Sequence, residues 1–409
     1  MGRHFFAAFV LVPTAILAIF QTGLFSSLGP AKAQSVVIPE ARACDSRCSG
    51  GWMNANLRLD QVQVVGTAES YKQRPDSALM GLIRMGGKQN AEALDYGQPA
   101  LSKQLDSDVR ALQFDVAYDP RGGAYRNPTG ASMAMDLLPD DYMKAMANPG
   151  FKVIHVLDVD YRSSCLALTD CLREVAAWSQ AHPRHLPIII SLKTNDAKTP
   201  MPGATKPVVC DETAMNELED EIRAVFAPDQ MITPDQVQGN HASLREAVQA
   251  HAWPLLGAAR GKVIFVLDDS AAKIKAYQGS RNGPEGRAMF VATEETSPLT
   301  AFVSIPDPLK DKARIEQAVK SGFIVFTRAD EGTREARGNS MARRDAAFAS
   351  GAQIVQTNFA AADPAISGYH VSLADNPAAR CGERLESEHC VRFEYPAASL
   401  HTASTAAMP

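Results

Sequence analysis

Short apolar runs recur along this chain, and each ends close to a polar or charged residue. Runs such as 187–190 and 263–267 are continuously apolar, which is typical of parallel strands buried on both faces. Helical periodicity separates some of the runs, at 166–180, 212–226 and 313–320. Eight strands that alternate with helices predict an α/β fold, a (β/α)8 TIM-type barrel. The predicted strands are 62–67, 109–118, 152–157, 186–192, 262–267, 302–305, 322–327 and 352–357.

The barrel predicts where a functional site lies, because chemistry in this fold is found at the C-terminal ends of the strands. Polar residues stand at most of these positions. We therefore expect a ligand site on that face of the barrel. The residues there are Glu69, Asp115, His155, Lys193, Asp268, Asp269, Arg328, Asp330, Thr357 and Asn358.

The N-terminus has the pattern of a secretory signal peptide over residues 1–33. Arg3 and His4 precede an apolar stretch, and Ala31-Lys32-Ala33 has the small-x-small form that a signal peptidase cleaves. We expect an exported mature chain that begins at Gln34, with an uncleaved anchor as the alternative.

After the signal peptide, the chain divides into three predicted segments. An N-terminal extension, 34–56, carries Cys44 and Cys48. The barrel follows over 57–395, and residues 396–409 form a disordered tail.

Charge restricts the classes of partner. The chain has 41 Lys and Arg against 46 Asp and Glu, a net charge of −5, and loss of Arg3 and Lys32 with the signal peptide changes this to about −7. Such a balance excludes a basic nucleic-acid-binding surface and gives no general attraction to anionic membranes. We expect a monomer that makes transient membrane contact at most.

All seven cysteines lie after the signal peptide, and six of them form three pairs that are close in sequence. An oxidising compartment favours short-loop disulfides, which would leave Cys210 unpaired, although spacing does not fix connectivity. Zinc is an alternative for the first pair, but no further Cys or His lies near it to complete four ligands. The pairs are Cys44 with Cys48, Cys165 with Cys171, and Cys381 with Cys390.

An ordered series of motifs runs through the predicted barrel. Residues 56–71 read N-L-R-L-D-Q-V-Q-V-V-G-T-A-E-S-Y, and residues 109–116 read V-R-A-L-Q-F-D-V. Residues 151–160 carry His155, and 322–330 and 349–353 read G-F-I-V-F-T-R-A-D and A-S-G-A-Q. The series resembles the calcium-dependent phosphoinositide-specific phospholipase C family, whose opening is L-R-x-N-Q-x-Q-x-x-G-T-H-N-S-Y.

The resemblance implies a phosphodiesterase in which calcium polarises the phosphate and two histidines assist the displacement. The first of these histidines is replaced by Ala68, while the second corresponds to His155. Three of the four implied calcium ligands also differ. The ligand positions are held here by Glu69 in place of Asn, Gln113 in place of Glu, Asp115, and Lys193 in place of Glu.

These replacements predict that calcium binding is weak or absent. The formal charge of the implied ligand set changes from −3 in the family to −1 here, and calcium prefers several charged oxygen ligands. An ammonium about 4 Å from a divalent cation is repelled by roughly 8 kcal/mol at an effective dielectric of 20. An alternative is that Lys193 takes the place of the metal, held by Glu69 or Asp115 and aimed at a phosphate oxygen.

The remaining site residues have structural and functional interpretations. His155 is the predicted catalytic residue, and Lys193, Arg328 and Asp330 are predicted to bind substrate, although Arg328 with Asp330 also fits an ion pair across the barrel mouth. The candidates to replace the missing first histidine are His241 and His251. The other conspicuous residues are predicted to be structural or solvated: His182, His185, Arg334, Arg337, Arg343 and Arg344.

The sequence therefore predicts two alternative functions. One is a phospholipase C-like phosphoric diester hydrolase that acts on a phosphoinositide or related phosphodiester. The other is a catalytically silent barrel that binds a phosphorylated or polyol ligand.

Overall fold

The computed structural model describes residues 46–373 and 378–381, and the structural statements below refer to these. The predicted signal peptide, most of the 34–56 extension, the tail at 396–409 and Cys44 and Cys390 lie outside the described residues.

The described chain contains ten strands and fifteen α-helices. The strands are β1 (Val62–Thr67), β2 (Ala111–Ala117), β3 (Lys152–Val153), β4 (Ile188–Thr194), β5 (Val263–Leu267), β6 (Met289–Ala292), β7 (Thr300–Ser304), β8 (Ile324–Arg328), β9 (Ile354–Thr357) and β10 (Arg380–Cys381). The helices are α1 (Ser46–Asn56), α2 (Ser77–Met85), α3 (Lys88–Leu94), α4 (Leu101–Asp106), α5 (Thr129–Ala134), α6 (Asp140–Ala147), α7 (Leu168–Ala181), α8 (Glu212–Val225), α9 (Pro234–Gln238), α10 (Leu244–Gln249), α11 (Leu256–Ala259), α12 (Ala271–Gln278), α13 (Lys312–Lys320), α14 (Arg334–Arg337) and α15 (Ala342–Ala349).

Eight parallel strands close into a barrel in the order β1-β2-β4-β5-β6-β7-β8-β9, with β1 paired to both β2 and β9. Closure needs a glycine where β1 meets β2, because a Cβ on Gly66 would lie 2.7 Å from the Cβ of Ala111. Continuous burial along β1, β5 and β6 agrees with the apolar runs in the sequence. The predicted (β/α)8 barrel is confirmed.

One predicted barrel strand is wrong, and one was missed. Of residues 152–157, only Lys152 and Val153 form a strand, and it pairs antiparallel with β2 outside the barrel. The chain then turns back through a bridge between Val156 and Asp160, so the apolar pattern there reflects a buried loop. The missed strand is β6, which has four residues and is joined to β7 without an intervening helix.

Amphipathic helices cover the outside of the barrel. Helix α8 begins at the N-cap Asp211, whose carboxylate accepts from the backbone N–H of Ala214 at 3.0 Å, and it buries Leu218 and Ile222. Helix α1, which belongs to the predicted extension, contributes Met53 to the same apolar cluster as the barrel strands. No helix in the described part has the length and apolar character needed to span a membrane.

Cysteine pairing follows the prediction where the structure describes it. Cys165 and Cys171 form a disulfide at the start of α7, with their Cα atoms 5.2 Å apart. Cys210 is a free, buried thiol. Cys381 is disulfide-bonded, and its predicted pairing with Cys390 lies outside the described residues, as does that of Cys44 with Cys48.

Candidate active site

Three of the predicted residues meet at the C-terminal mouth of the barrel. Glu69 follows β1, Asp115 lies near the end of β2, and His155 lies in the loop after β3. One carboxylate oxygen or ring nitrogen from each lies within 4.8 Å of those of the other two. Nε2 of His155 lies 3.9 Å from Oε1 of Glu69.

Glu69 is fixed by its backbone and by its side chain. Its φ of 42° lies in the left-handed region, and its backbone N–H donates to Oε1 of Gln113 at 2.8 Å. The hydroxyl of Tyr96 donates to Oε2 of Glu69 at 2.6 Å, so Oε1 faces His155. Burial acts to raise the pKa of Glu69, but the charges of Arg328 and His155 outweigh it and lower that pKa.

Asp115 is held on both oxygens. Tyr71 donates its hydroxyl to Oδ2, and Gln113 donates its amide Nε2 to Oδ1, both at 2.9 Å. Burial raises the pKa of Asp115 to about 6, although the charge of His155 acts in the opposite direction. Gln113 therefore links the two carboxylates, since it accepts from the backbone of Glu69 and donates to Asp115.

His155 is oriented by a buried ion pair. Its Nδ1 lies 2.8 Å from Oδ2 of Asp160, and that oxygen lies 3.3 Å from Nζ of Lys72. The backbone carbonyl of His155 also accepts from the side chain of Asn195 at 3.0 Å. Burial acts to lower the pKa of His155, but the hydrogen bond with Asp160 and the charge of Glu69 outweigh it and raise that pKa to about 9. The arrangement leaves Nε2 as the ring nitrogen that faces the site.

Lys72 and the tyrosines are site residues that the sequence reasoning missed. The ammonium of Lys72 is fully buried and donates to the carbonyls of Leu94 and Tyr96 at 2.8 and 2.7 Å. It therefore supports both the His155–Asp160 pair and the Tyr96 hydroxyl that holds Glu69. Tyr71 ends the motif at residues 56–71 that resembles the family pattern, so a role for it could have been predicted. Nothing in the sequence indicated a role for Tyr96 or Lys72.

The position of the missing histidine provides no proton-transfer group. Ala68 is 1% exposed, and its backbone N–H donates to the carbonyl of Thr357 at 2.9 Å. The suggested replacements lie elsewhere. His251 is exposed and lies 3.5 Å from Asp60, which precedes β1 at the opposite end of the barrel. The prediction that His251 replaces the first histidine is therefore wrong. His241 is also exposed, between α9 and α10, and its role stays a prediction.

Lys193 lies beside the site but is not held by it. Its backbone is in register with that of Asp115 on the neighbouring strand, while its side chain is exposed. Within the described residues, the ammonium makes no ion pair with Glu69 or Asp115 inside 4.0 Å. The suggestion that either carboxylate anchors Lys193 is therefore wrong for this structure.

Arg328 and Asp330 have different surroundings, although they are two residues apart. Arg328 donates to the side-chain oxygen of Asn358 at 3.0 Å and to the backbone carbonyl of Asp330 at 3.2 Å, and its charge acts on Glu69. The carboxylate of Asp330 is fully buried and accepts from Thr357, from the backbone of Asn358 and from Tyr369. Asp330 thus secures the ends of β8 and β9, and its predicted contact with substrate is not supported.

The residues predicted to be structural or solvated lie away from this centre. His185 contacts Ser179 at 2.7 Å and the carbonyl of Leu186 at 2.6 Å, and His182 stacks on Trp178. Arg343 corrects the prediction of a solvated basic face, because it is 5% exposed and donates to the carbonyls of Pro306 and Arg328.

Comparison with known proteins shows the family of the chain. The model of the family "Phosphoinositide phospholipase C, Ca2+-dependent" matches residues 57–382. The chain belongs to this family. No curated protein sequence matches it.

Solved phospholipases of this kind are similar to the chain at low sequence identity. A calcium-dependent phosphoinositol-specific phospholipase C from Pseudomonas sp. is 16% identical, with a TM-score of 0.48 over 74% of this chain and 91% of that one. The calcium-dependent phosphatidylinositol-specific phospholipase C from Streptomyces antibioticus is 15% identical, with a TM-score of 0.45 over 74% and 94%. The phosphatidylinositol-specific phospholipase C from Listeria monocytogenes is 12% identical, with a TM-score of 0.40 over 75% and 92%.

Proposed function

We propose that the barrel mouth binds a phosphodiester, an inositol phospholipid head group or a close relative, and cleaves it without calcium. The observation that carries this proposal is the orientation of His155. With Nδ1 held against Asp160, Nε2 lies 3.9 Å from Oε1 of Glu69 at the barrel mouth, where an acid would protonate a leaving alkoxide.

The donors around the site do not fit calcium. Calcium takes six to eight oxygen ligands. The amide oxygen of Gln113 already accepts from the backbone of Glu69, and its NH2 group faces Asp115. Glu69 and Asp115 each have an oxygen engaged by a tyrosine hydroxyl, and the exposed ammonium of Lys193 extends from the neighbouring strand. The carboxylates of Glu69 and Asp115 therefore remain as ligands, and they provide too few oxygen atoms for the coordination shell of calcium.

Positive side chains supply an alternative means of binding the phosphate. Arg328 is held by Asn358 and its charge acts on Glu69, and Lys193 is exposed with its charge acting on Asp115. A guanidinium binds phosphate oxygens in a fixed geometry, and an ammonium adds a mobile charge. We propose that Arg328 orients the phosphate and that Lys193 neutralises it while a hydroxyl attacks phosphorus. Asp115 accepts the proton of that hydroxyl, and His155 gives its Nε2 proton to the alkoxide as the P–O bond to the leaving group breaks.

The second candidate is a silent barrel that binds a phosphorylated or polyol ligand. The observation that favours it is Ala68, because no side chain there can take a proton from the attacking hydroxyl, and one acid–base group is worth about 10²–10⁴ in rate.

One experiment separates the two candidates. Phosphatidylinositol and bis-p-nitrophenyl phosphate are incubated with purified protein, and inositol phosphate binding is measured by calorimetry in parallel. Hydrolysis that is lost in His155→Ala and retained in His251→Ala supports the enzyme. Binding without hydrolysis supports the silent barrel, and neither binding nor hydrolysis contradicts both.

We propose further that the protein works outside the cytoplasm, as a monomer with transient membrane contact. The disulfide between Cys165 and Cys171 supports this, because such bonds persist in oxidising compartments. Fractionation of the native cells tests it, and recovery of the full-length chain from the cytoplasm would contradict it.

A further inference from the structure

Glu69 places a carboxylate beside two of the cations that are proposed to act on the phosphate. Its Oε1 lies 3.9 Å from Nε2 of His155. The charge of Arg328 also acts on Glu69, and Glu69 is the carboxylate with the largest effect on Arg328. A phosphate group that contacts both cations therefore lies close to this carboxylate.

The carboxylate of Glu69 is fixed in this position. The side chain is 12% exposed, and the hydroxyl of Tyr96 donates to its Oε2 at 2.6 Å. The backbone N–H of Glu69 donates to the side chain of Gln113 at 2.8 Å, so backbone and side chain are both held. A ligand could move the carboxylate away only by breaking these contacts, so the negative charge stays beside the ligand.

The third cation of the site also has carboxylate neighbours. The charge of Lys193 acts on Asp115 in β2 and on Asp268, which follows β5. Each cation that is proposed to meet the phosphate is therefore already close to a carboxylate. Because of these carboxylates, a ligand with two negative charges is repelled more strongly than a ligand with one.

We propose that Glu69 is a specificity-determining residue, which makes the site select singly charged phosphodiesters over doubly charged phosphomonoesters. A diester carries one negative charge, whereas a monoester carries about 1.5 to 2 at pH 7. Repulsion from a fixed, mostly buried carboxylate increases with each charge on the ligand. The inference rests on the proposed function, because it names the class of substrate that the same site accepts.

The test compares two unreactive ligands of similar shape, inositol monosulfate with one negative charge and inositol monophosphate with two. Their affinities for the full-length mature protein are measured by calorimetry in chelator, at a pH of about 8, where the monophosphate is a dianion. We expect the monosulfate to bind the wild type at least about tenfold more tightly than the monophosphate. In Glu69→Gln this ratio should fall by at least about tenfold, because the repelling charge is gone.

Two further variants make the test specific. Glu69→Asn should lower the ratio in the same way, and it suits the backbone, because asparagine tolerates the φ of 42° at this position. Glu331→Gln is the matched control. It removes the same charge from an exposed carboxylate that also acts on Arg328, and it should keep the ratio of the wild type.

The outcomes separate this inference from the proposed function. A ratio that is unchanged in both Glu69 variants, folded as judged by circular dichroism, would overturn the inference. A wild type that binds neither ligand, or that prefers the monophosphate, would overturn it too. Turnover of phosphatidylinositol with an unchanged ratio would keep the phosphodiesterase and remove this role of Glu69. Charge selection without any turnover would keep the role of Glu69 and remove the phosphodiesterase.

Discussion

Nε2 of His155 lies 3.9 Å from Oε1 of Glu69, the residue that is predicted to replace the asparagine of the family motif. The contact places a carboxylate against the one retained histidine, and Asp160 holds the opposite side of the ring. This pairing stabilises the protonated imidazole.

Calcium is expected not to stabilise the protein. Gln113 and Lys193 are predicted to stand where the family has carboxylates, and the Gln113 amide already makes hydrogen bonds with Glu69 and Asp115. Differential scanning fluorimetry in millimolar calcium should give the same Tm as in chelator. A Tm that rises by several degrees with calcium and falls again with chelator would contradict this prediction, because it would show that the protein binds calcium.

Restoration of the family residues should create calcium dependence. Ala68→His alone is expected to raise phosphodiesterase turnover little, because Gln113 and Lys193 still prevent the calcium site. The combination of Ala68→His, Glu69→Asn, Gln113→Glu and Lys193→Glu should give cleavage of phosphatidylinositol that needs calcium. The single variant is the matched control, and equal turnover in the two variants would refute the account of the ligand set.

Replacement of Lys72 should destabilise the fold strongly. Its buried ammonium contacts Asp160 and two backbone carbonyls, so Lys72→Met removes one of the two positive partners of the buried Asp160 carboxylate, beside His155, and the donor to both carbonyls. Such losses cost about 3–5 kcal/mol. Urea unfolding should report this decrease, whereas Lys103→Met, at an exposed position, should change the free energy of unfolding by less than about 0.5 kcal/mol. Equal values for the two variants would contradict the structural role of Lys72.

Protonation of His185 should decrease the free energy of unfolding at acid pH. Burial lowers the pKa of His185 to about 4, whereas an unfolded histidine titrates near 6.5. The unfolded state therefore binds more protons between these values, and the stability present above about pH 6.5 decreases as the pH falls towards 4. The full effect is up to about 3 kcal/mol.

The control for His185 is His185→Gln, which removes the titrating group. Its free energy of unfolding, measured by urea titration from pH 4 to 7, should be flatter with pH than that of the wild type. Parallel curves would show that other groups carry the acid sensitivity.

The sequence predicted the barrel because buried parallel strands have a strong local pattern, as in 263–267. It did not distinguish the buried loop at 152–157 from a strand, because an apolar run also results from burial outside the sheet. The four residues of β6 were too few to show periodicity, and no helix separates them from β7.

Only those site residues that lie in the family motifs could be predicted from the sequence. Glu69, Asp115 and His155 follow from strand ends and the family pattern. The contacts of Lys72 with Asp160 and of Tyr96 with Glu69 join residues 88 and 27 positions apart, and no periodicity encodes such pairs. The hydrogen bonds that Asp330 accepts from Thr357 and Tyr369 likewise could not be predicted without the fold.

The central claim is that a phosphodiester is cleaved here through His155 and without calcium. The direct test is the turnover of phosphatidylinositol by the mature protein in chelator, compared with the same assay in calcium and with His155→Ala. The account predicts equal turnover in chelator and calcium, and a loss of about 10²–10⁴-fold in His155→Ala. Turnover that requires calcium, or that His155→Ala leaves unchanged, would contradict it.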